Sequence, residues 1–543
     1  MSCLSSATRA FCQPGRDCRV PLARVSAEGA RGVGFSGMRN GHNRQAGVLS
    51  RRSARWSGLP ATVGSAWIGW FAMDRNRYSR IVGRLLALFA VALTLAISAS
   101  AEWNEKVLYS FQGGTDGSIP AGGVIFDKEG NLYGLTIYGG STACPPGWCG
   151  TIYELSPPQQ KGGAWTEKVL YVFKGHNQND GASPSGGLIA DNAGNFYGVT
   201  GYGGSGPCVL FGTATGCGTV FELSPPAQKG GAWTETVLYN FRGGKDGDLP
   251  SGPLVFDSAG NLYGATEFGG GKGATCNAFY GGNCGTVFKL SPPKQKGGKW
   301  TEKVLHSFAD VAQGKQYGDG AEPNGGLVLD SRGGLYGTTA IGGNQICRNE
   351  HSQPIGCGTV FRLHPPGNAG GAWIEGIQHR FRGYPNDGEL PSAGLILDSG
   401  GTLYGTTTGG GNQAAGTVFA LTQSKERGGQ WEETLLHQFT AGSDGAVPIA
   451  PLTLNALGAL YGTASIGGAV GGGTLFQLKR SPKRHSWTFD AFYTFTGSPD
   501  GSYPASGLTL GLRGSYYGTT QQSGNTGQNC GRLGCGTVFE VSP

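Results

Sequence analysis

A chain of 543 residues is long enough for several domains, yet its 102 glycines fall at fixed places among aromatic and β-branched residues, which excludes a disordered or collagen-like chain. The formal net charge of +7 is unevenly divided: residues 1–84 hold 14 Arg against 3 acidic residues, leaving the remainder mildly acidic at −4. With no basic stripe in that remainder, nucleic-acid binding loses its electrostatic footprint.

Residues 1–72 are rich in Arg, Ser and Gly, show no apolar period and read as an unstructured leader or as the product of a start codon placed too early. Met73 opens a different text, with a basic head through Arg80, an apolar run from Leu85 to Ile97 and Ala99-Ser100-Ala101 at its end. This pattern predicts a secretory signal peptide over 73–101 that starts at Met73 and is cleaved after Ala101; its apolar run is short for a membrane span. The alternative is a genuine extension with an uncleaved anchor. The expected location is therefore secreted or periplasmic, with no stable membrane anchor after cleavage.

From residue 102 to 543 one text recurs seven times. It opens with Trp103 to Phe111, and its relatives begin at Trp165, Trp233, Trp300, Trp373, Trp431 and Trp487; the fullest reads Trp165-Thr166-Glu167-Lys168-Val169-Leu170-Tyr171-Val172-Phe173. Three further apolar runs separate successive Trp segments. They are clearest at Gly325-Gly326-Leu327-Val328-Leu329-Asp330, Gly334-Leu335-Tyr336-Gly337-Thr338-Thr339 and Gly358-Thr359-Val360-Phe361-Arg362-Leu363. Branched and aromatic residues joined across an Asp-x-x-Gly turn read as a β-hairpin, and Gly-Thr-Val-Phe-x-Leu as a third strand. Four strands recurring every ~55–75 residues predict an all-β fold, a seven-bladed β-propeller with four antiparallel strands per blade, forming one domain over 102–543.

The order of strands from the axis outward follows from side-chain size. Small residues such as Gly186-Gly187 suit the crowded axis, whereas Trp and Phe suit the periphery, where Glu167, Lys168, Glu302 and Lys303 discourage edge pairing. In this phase the repeat text begins with an outermost strand and ends after a third one. Residues 507–541 then supply three strands of the last blade and 103–111 the fourth, which closes the ring. Along the Trp strand, Trp103, Glu105, Val107, Tyr109 and Phe111 share one face, and His306, His379 and His437 take the Tyr109 position. Without a partner constellation these His read as satisfied packing groups.

Ten of the 13 Cys form five local couples: Cys144/Cys149, Cys208/Cys217, Cys276/Cys284, Cys347/Cys357 and Cys530/Cys535. The second member precedes Gly-Thr-[Val/Ile], and the two repeats that lack it, at Ala415-Gly416-Thr417 and Gly472-Gly473-Thr474, lack its partner as well. Joint presence and joint absence predict disulfides; zinc would need four ligands, which neighbouring His are not placed to supply.

Familiar catalytic texts such as His-Glu-x-x-His, Gly-x-Ser-x-Gly and the phosphate-binding Gly-rich loop are absent from the repeats. The regular Asp-Gly pairs (Asp116, Asp180, Asp246, Asp319, Asp387, Asp444, Asp500) read as turns whose Asp bonds nearby N–H groups, since calcium wants more oxygen ligands than each offers. No metal and no cofactor is expected. Variation is greatest in the loops between second and third strands. Trp148, Phe211, Phe279 and Tyr280 in those loops are the candidate ligand-binding residues, unless the loops are merely tolerated insertions. Arg348, Glu350 and His351 are the one cluster that breaks the repeat with catalytic residue types.

Gly-Asn-Leu-Tyr-Gly-x-Thr, Gly-Cys-Gly-Thr-Val-Phe-Glu-Leu-Ser-Pro and Trp-x-Glu-x-Val-Leu-Tyr-x-Phe resemble the GloVer tandem-repeat proteins, also called choice-of-anchor tandem-repeat proteins, over about residues 103–543. The resemblance implies an exported bacterial propeller-like protein, often tethered by a C-terminal anchor, and carries no activity to any residue. This text stops at Val541-Ser542-Pro543 with no apolar tail, so release is expected rather than tethering. The function expected is non-catalytic binding or scaffolding by a monomer whose partner is an extracellular glycan or protein. The alternative is a glycan-active hydrolase or lyase with its site at the propeller face or channel.

Overall fold

The computed structural model describes residues 103–141, 144, 149–210, 212–270, 284–295, 297–309, 318–344, 346–349, 352, 354–368, 370–424, 429–481, 486–524, 529–530 and 532–543. Seven antiparallel sheets of four or five strands are arranged as the blades of a β-propeller, and two short two-stranded sheets accompany them. Blade one shows the plan: Ser118–Phe126, Leu132–Tyr138, Thr151–Ser156 and Thr166–Val172 pair in sequence order. In blades four to six the first strand shortens to two residues, as at Val328–Leu329.

The repeated residues each have a local reason. Asp127 begins the turn between first and second strands; its Oδ1 accepts the Glu129 and Asn131 N–H groups at 3.0 and 2.8 Å, and its Oδ2 accepts the Tyr133 hydroxyl at 2.9 Å. An Asx turn is thus tied to the Tyr of Asn-Leu-Tyr-Gly. The Thr that follows, Thr136, meets Thr151 of the third strand at 2.8 Å inside the sheet. The same buried hydroxyl pair occurs in every blade except the sixth, where Ala464 stands opposite Thr474.

Most of the core lies between blades. The Phe that ends each outer strand, from Phe111 to Phe495, is fully buried. It packs edge to face on the aromatic residue of the next blade's third strand: Phe111 on Tyr153, Phe173 on Phe221 and so on round to Phe495 on Phe539, at 5.1–5.3 Å.

A backbone bond closes the same seam. Ser183 N–H donates to Cys149 O of the preceding blade at 3.0 Å, and Leu249, Glu322, Leu390, Val447 and Tyr503 donate to Cys217, Cys284, Cys357, Ala415 and Gly472. Ile119 donates to Cys535 O at 2.9 Å and completes the circle. A Pro follows each donor and rests on the Gly of the preceding Gly-Thr, as Pro184 does on Gly150.

The closing strand pairs as the sequence predicts: Asn104–Ser110 lies antiparallel to Thr537–Ser542, with Asn104 opposite Ser542 and Ser110 opposite Thr537. Charge on the outer strands is sorted differently from the expectation. Lys168 and Lys303 face solvent, but Glu167 and Glu302 turn inward to the seam, so the edge is protected by Lys rather than by both signs.

Four disulfides join Cys144–Cys149, Cys208–Cys217, Cys347–Cys357 and Cys530–Cys535. Cys284 is also disulfide-bonded, while its expected partner Cys276 lies outside the described residues. These bonds fit an extracellular or periplasmic protein. Among the described residues no helix is long and apolar enough to cross a membrane.

Blades five and six make the same seam bond from Ala415 and Gly472 without sulfur, and the bridges span only 5 to 10 residues. Reduction is therefore expected to leave the strand signal of the ring intact and to lower stability by at most about 2–3 kcal/mol per bridge. Circular dichroism under reductant checks this, and global unfolding on reduction at room temperature would contradict it.

Candidate functional site

At the axis the first strands approach through glycine. A Cβ on Gly122 would stand 2.6 Å from the Gly187 Cα of the next blade, and one on Gly123 3.0 Å from the Gly507 carbonyl of the last, so side chains are excluded and the blades touch backbone to backbone. These glycines also line an axial funnel of about 420 Å³ to which all seven blades contribute. Ile137, Tyr202, Glu267 and Gln521 form its wall at the ends of second strands, on the side where the loops to the third strands leave.

Two circles of residues repeat from blade to blade at this level, and Ser183, Leu249, Ile137, Gly201, Glu267 and Gln521 among them line the funnel. The first consists of the seven seam donors, Ile119, Ser183, Leu249, Glu322, Leu390, Val447 and Tyr503, every one left-handed with φ between 55° and 59°. None is glycine, and Ile and Val are β-branched, so each holds strain of about 1–3 kcal/mol. The seam bond and the following Pro fix them there.

The second circle lies one step past the inward Thr (Ala464 in blade six): Ile137, Gly201, Glu267, Ala340, Thr408, Ser465 and Gln521. Backbone bonds join the circles, as from Ala340 N–H to Glu322 O at 3.0 Å and from Thr408 N–H to Leu390 O at 3.1 Å. The residue type in the second circle differs in all seven blades, while the scaffold around it repeats.

The wall is mixed in polarity. Ile125, Leu188 and Leu249 supply apolar surface; Ser183, Ser251, Asn324 and Gln521 supply oxygens and amides. Ser251 Oγ and Gln521 Oε1 are buried without a hydrogen-bond partner. Glu267, 4% exposed, is the one carboxylate among the described lining residues, and these include no Lys, Arg, His or Cys. Such a wall is rich in acceptors, and it suits hydroxyl or amide donors better than anions.

A second repeated arrangement occupies the outer seams. Asp116 accepts the Tyr109 hydroxyl at 3.0 Å and the Gln112 N–H at 2.7 Å, and Glu167 of the next blade lies within its field. Asp180 repeats this with Tyr171 and Glu235, and Asp500 with Tyr493 and Glu105. Burial first, and the neighbouring Asp second, push Glu105, Glu167 and Glu302 up to about 7 and Glu235 up to about 8.

His replaces Tyr in three seams. His306 Nε2 lies 3.1 Å from Asp319, and His437 Nε2 3.0 Å from Asp444, where Phe489 takes the Glu position and stacks on the imidazole at 3.6 Å. A motif repeated at nearly every seam is architecture.

Of the residues singled out from sequence, Trp148, Phe211, Phe279, Tyr280, Glu350 and His351 lie outside the described residues. Arg348 is described, and its Nη1 donates to Ser352 O of its own loop at 2.7 Å. The funnel residues differ from the candidates named from sequence because they sit at strand ends, whereas the variation in length that marks the repeats lies in the loops. The signal was present in the text as the residue after Tyr-Gly-x-Thr, which never repeats.

The model of the Gloeobacter/Verrucomicrobia repeat matches residues 97–273 and 343–543, well over half of the chain. No curated protein matches the sequence. Among solved structures, a Thermus thermophilus protein described as an oxidoreductase (glucose dehydrogenase) is 14% identical with a TM-score of 0.37, covering 81% of this chain and 100% of its own. A protein of unknown function from Dyadobacter fermentans is 13% identical with a TM-score of 0.36, covering 72% and 98%. A gluconolactonase from Xanthomonas campestris is 13% identical with a TM-score of 0.34, covering 66% and 86%. None of these likenesses bears on the chemistry of this chain.

Proposed function

We propose that this chain, which belongs to the Gloeobacter/Verrucomicrobia repeat family, is an exported, non-catalytic binding propeller that holds a neutral, hydroxyl-rich ligand, such as the end of an extracellular glycan, in its axial funnel. The observation that carries this is that four unlike residues at one repeat position, Ile137, Gly201, Glu267 and Gln521, line the funnel on a scaffold that repeats. Sevenfold repetition serves the fold; departure from it at one radius serves recognition of something without sevenfold symmetry.

The lining chemistry supports the ligand class. Unpartnered acceptors at Ser251 and Gln521 match hydroxyl donors, and the absence of cationic side chains among the described lining residues disfavours phosphate or sulfate esters. The volume suits one or two sugar rings. With one carboxylate and no His or Cys in that lining, general acid–base chemistry lacks its second partner.

Immobilised neutral oligosaccharides test the proposal. The parent protein is expected to retain a subset of them, and Gln521→Leu or Ser251→Val to weaken retention at least about tenfold while leaving the thermal midpoint in place. Trp148→Ala and Phe279→Ala, read on the same array, separate a contribution of the loops from that of the funnel. Retention that survives both funnel substitutions places recognition elsewhere.

A further inference from the structure

The seam between blades four and five departs from the others. His379, on the outer strand Ile374–Arg380, stands where four seams carry Tyr; Asp387 occupies the Asp-Gly turn, and Glu433 projects from the outer strand Trp431–Gln438 of blade five. His306 and His437 lie at hydrogen-bond distance from their Asp, at 3.1 and 3.0 Å. His379 Nε2 instead lies 3.5 Å from Asp387 Oδ2 and 3.7 Å from Glu433 Oε2. Both His379 Nε2 and Glu433 Oε1 are shielded from solvent and have no hydrogen-bond partner.

One imidazole and two carboxylates therefore converge, with the imidazole beyond ordinary hydrogen-bond distance of either carboxylate. All their ligand atoms lie within 4.8 Å. A tetrahedral Zn²⁺ with bonds of about 2.0–2.2 Å sets its ligands about 3.3–3.6 Å apart, close to the two separations found here. Asp387 is already oriented, since its Oδ2 accepts the Arg382 N–H at 2.8 Å and its Oδ1 the Gly388 N–H at 2.6 Å, which leaves a lone pair free for a metal.

We propose that His379 Nε2, Asp387 and Glu433 bind one divalent transition-metal ion of the Zn²⁺ class, with water completing its shell. Two carboxylates of like charge meet in a seam largely closed to solvent, and a cation between them relieves that repulsion. Arg382, exposed on the turn, opposes the site weakly through space. The corresponding group His306, Asp319 and Glu375 has its His bonded to Asp, and His437 has Phe489 where a third ligand would be. The site thus belongs to one seam of seven, and it would cross-link the outer strands of two blades.

The test is Co²⁺ titration of the chelator-treated full chain, followed by Zn²⁺ competition. His379→Tyr restores the residue present at Tyr109, Tyr171, Tyr239 and Tyr493, so it is expected to fold. The parent is expected to bind one more equivalent than His379→Tyr, with the visible absorption of four-coordinate Co²⁺ that Zn²⁺ abolishes. Affinity at this site should fall at least about 100-fold in the variant. His437→Tyr should bind as the parent does, and Zn²⁺ should raise the thermal midpoint of the parent but not of His379→Tyr. Equal uptake and equal spectra in parent and His379→Tyr overturn the proposal. Should His379→Tyr fail to fold, Glu433→Gln decides: loss of the absorption supports the site, and an unchanged spectrum overturns it.

Discussion

A chain lacking Trp103–Phe111 is expected to lose on the order of 10 kcal/mol of stability and to melt about 10 °C or more below the parent, or to accumulate as insoluble protein. The segment contributes far more than an edge. Trp103 lies against Phe492 at 4.3 Å in blade six, Leu108 is buried, and the fully buried Phe111 packs on Tyr153 in blade one. Large aromatic residues removed from a core cost about 3–5 kcal/mol each. The third strand Thr537–Ser542 would also be left with unpaired backbone groups along its whole length. Deleting nine residues within 1–72 should leave the midpoint unmoved. Equal melting of the two deletions would mean that the ring is closed by something other than this strand.

Stability is expected to rise as the medium is acidified from about pH 9 to about pH 5, the reverse of the trend for carboxylates paired with cations. Six seam Glu residues are held above their ordinary 4.5: Glu105, Glu167, Glu302 and Glu375 near 7, Glu235 near 8 and Glu433 near 9. The folded chain keeps protons that the unfolded chain releases, so the contribution is full below 4.5 and is lost as pH climbs through 7 to 9. Asp116 and Asp180, also raised, act in the same direction. His364 and His437, both lowered by burial, oppose it on the acid side.

Since the carboxyls are partly reached by solvent, the contribution is about 1 kcal/mol per seam, which over the six seams together shifts the midpoint of a domain this size by about 5 °C. Glu235→Gln should flatten the profile and exceed the parent at about pH 9. A midpoint independent of pH across this range, in the presence of chelator, would show that the Asp–Glu pairs are solvated rather than buried.

The blades, the outermost Trp strand and its closure of the ring were legible because each rests on a pattern internal to one repeat: alternation, turn residues and the size of side chains near an axis. The seams were not, because their partners are supplied by different repeats. Glu167 reads as a solvent-facing guard of the edge until its neighbour Asp116 is known, and the two are separated by fifty residues of chain. The left-handed residues before Pro were hidden for another reason. Left-handed backbone is sought at Gly or Asn, whereas Ile119, Val447 and Tyr503 are held there by a bond to the preceding blade. Part of the funnel wall was visible in principle in a column of unlike residues that includes Ile137, Gly201, Glu267 and Gln521, within otherwise matching lines.

The bond from each left-handed N–H to the carbonyl of the preceding blade is polar in the directional sense, with a donor and a Pro on one flank of every blade and an acceptor and a Gly on the other. A joint of that kind is head-to-tail, and identical head-to-tail joints close only when their rotations add to a full turn. The chain is thus a cyclic oligomer written as one polypeptide, its subunit count fixed by the angle at a single joint and not by how many repeats happen to be encoded. A gene that gained a repeat would carry a surplus blade rather than a wider ring. One reopened at another Trp strand would rebuild the same seven joints around a different pair of ends.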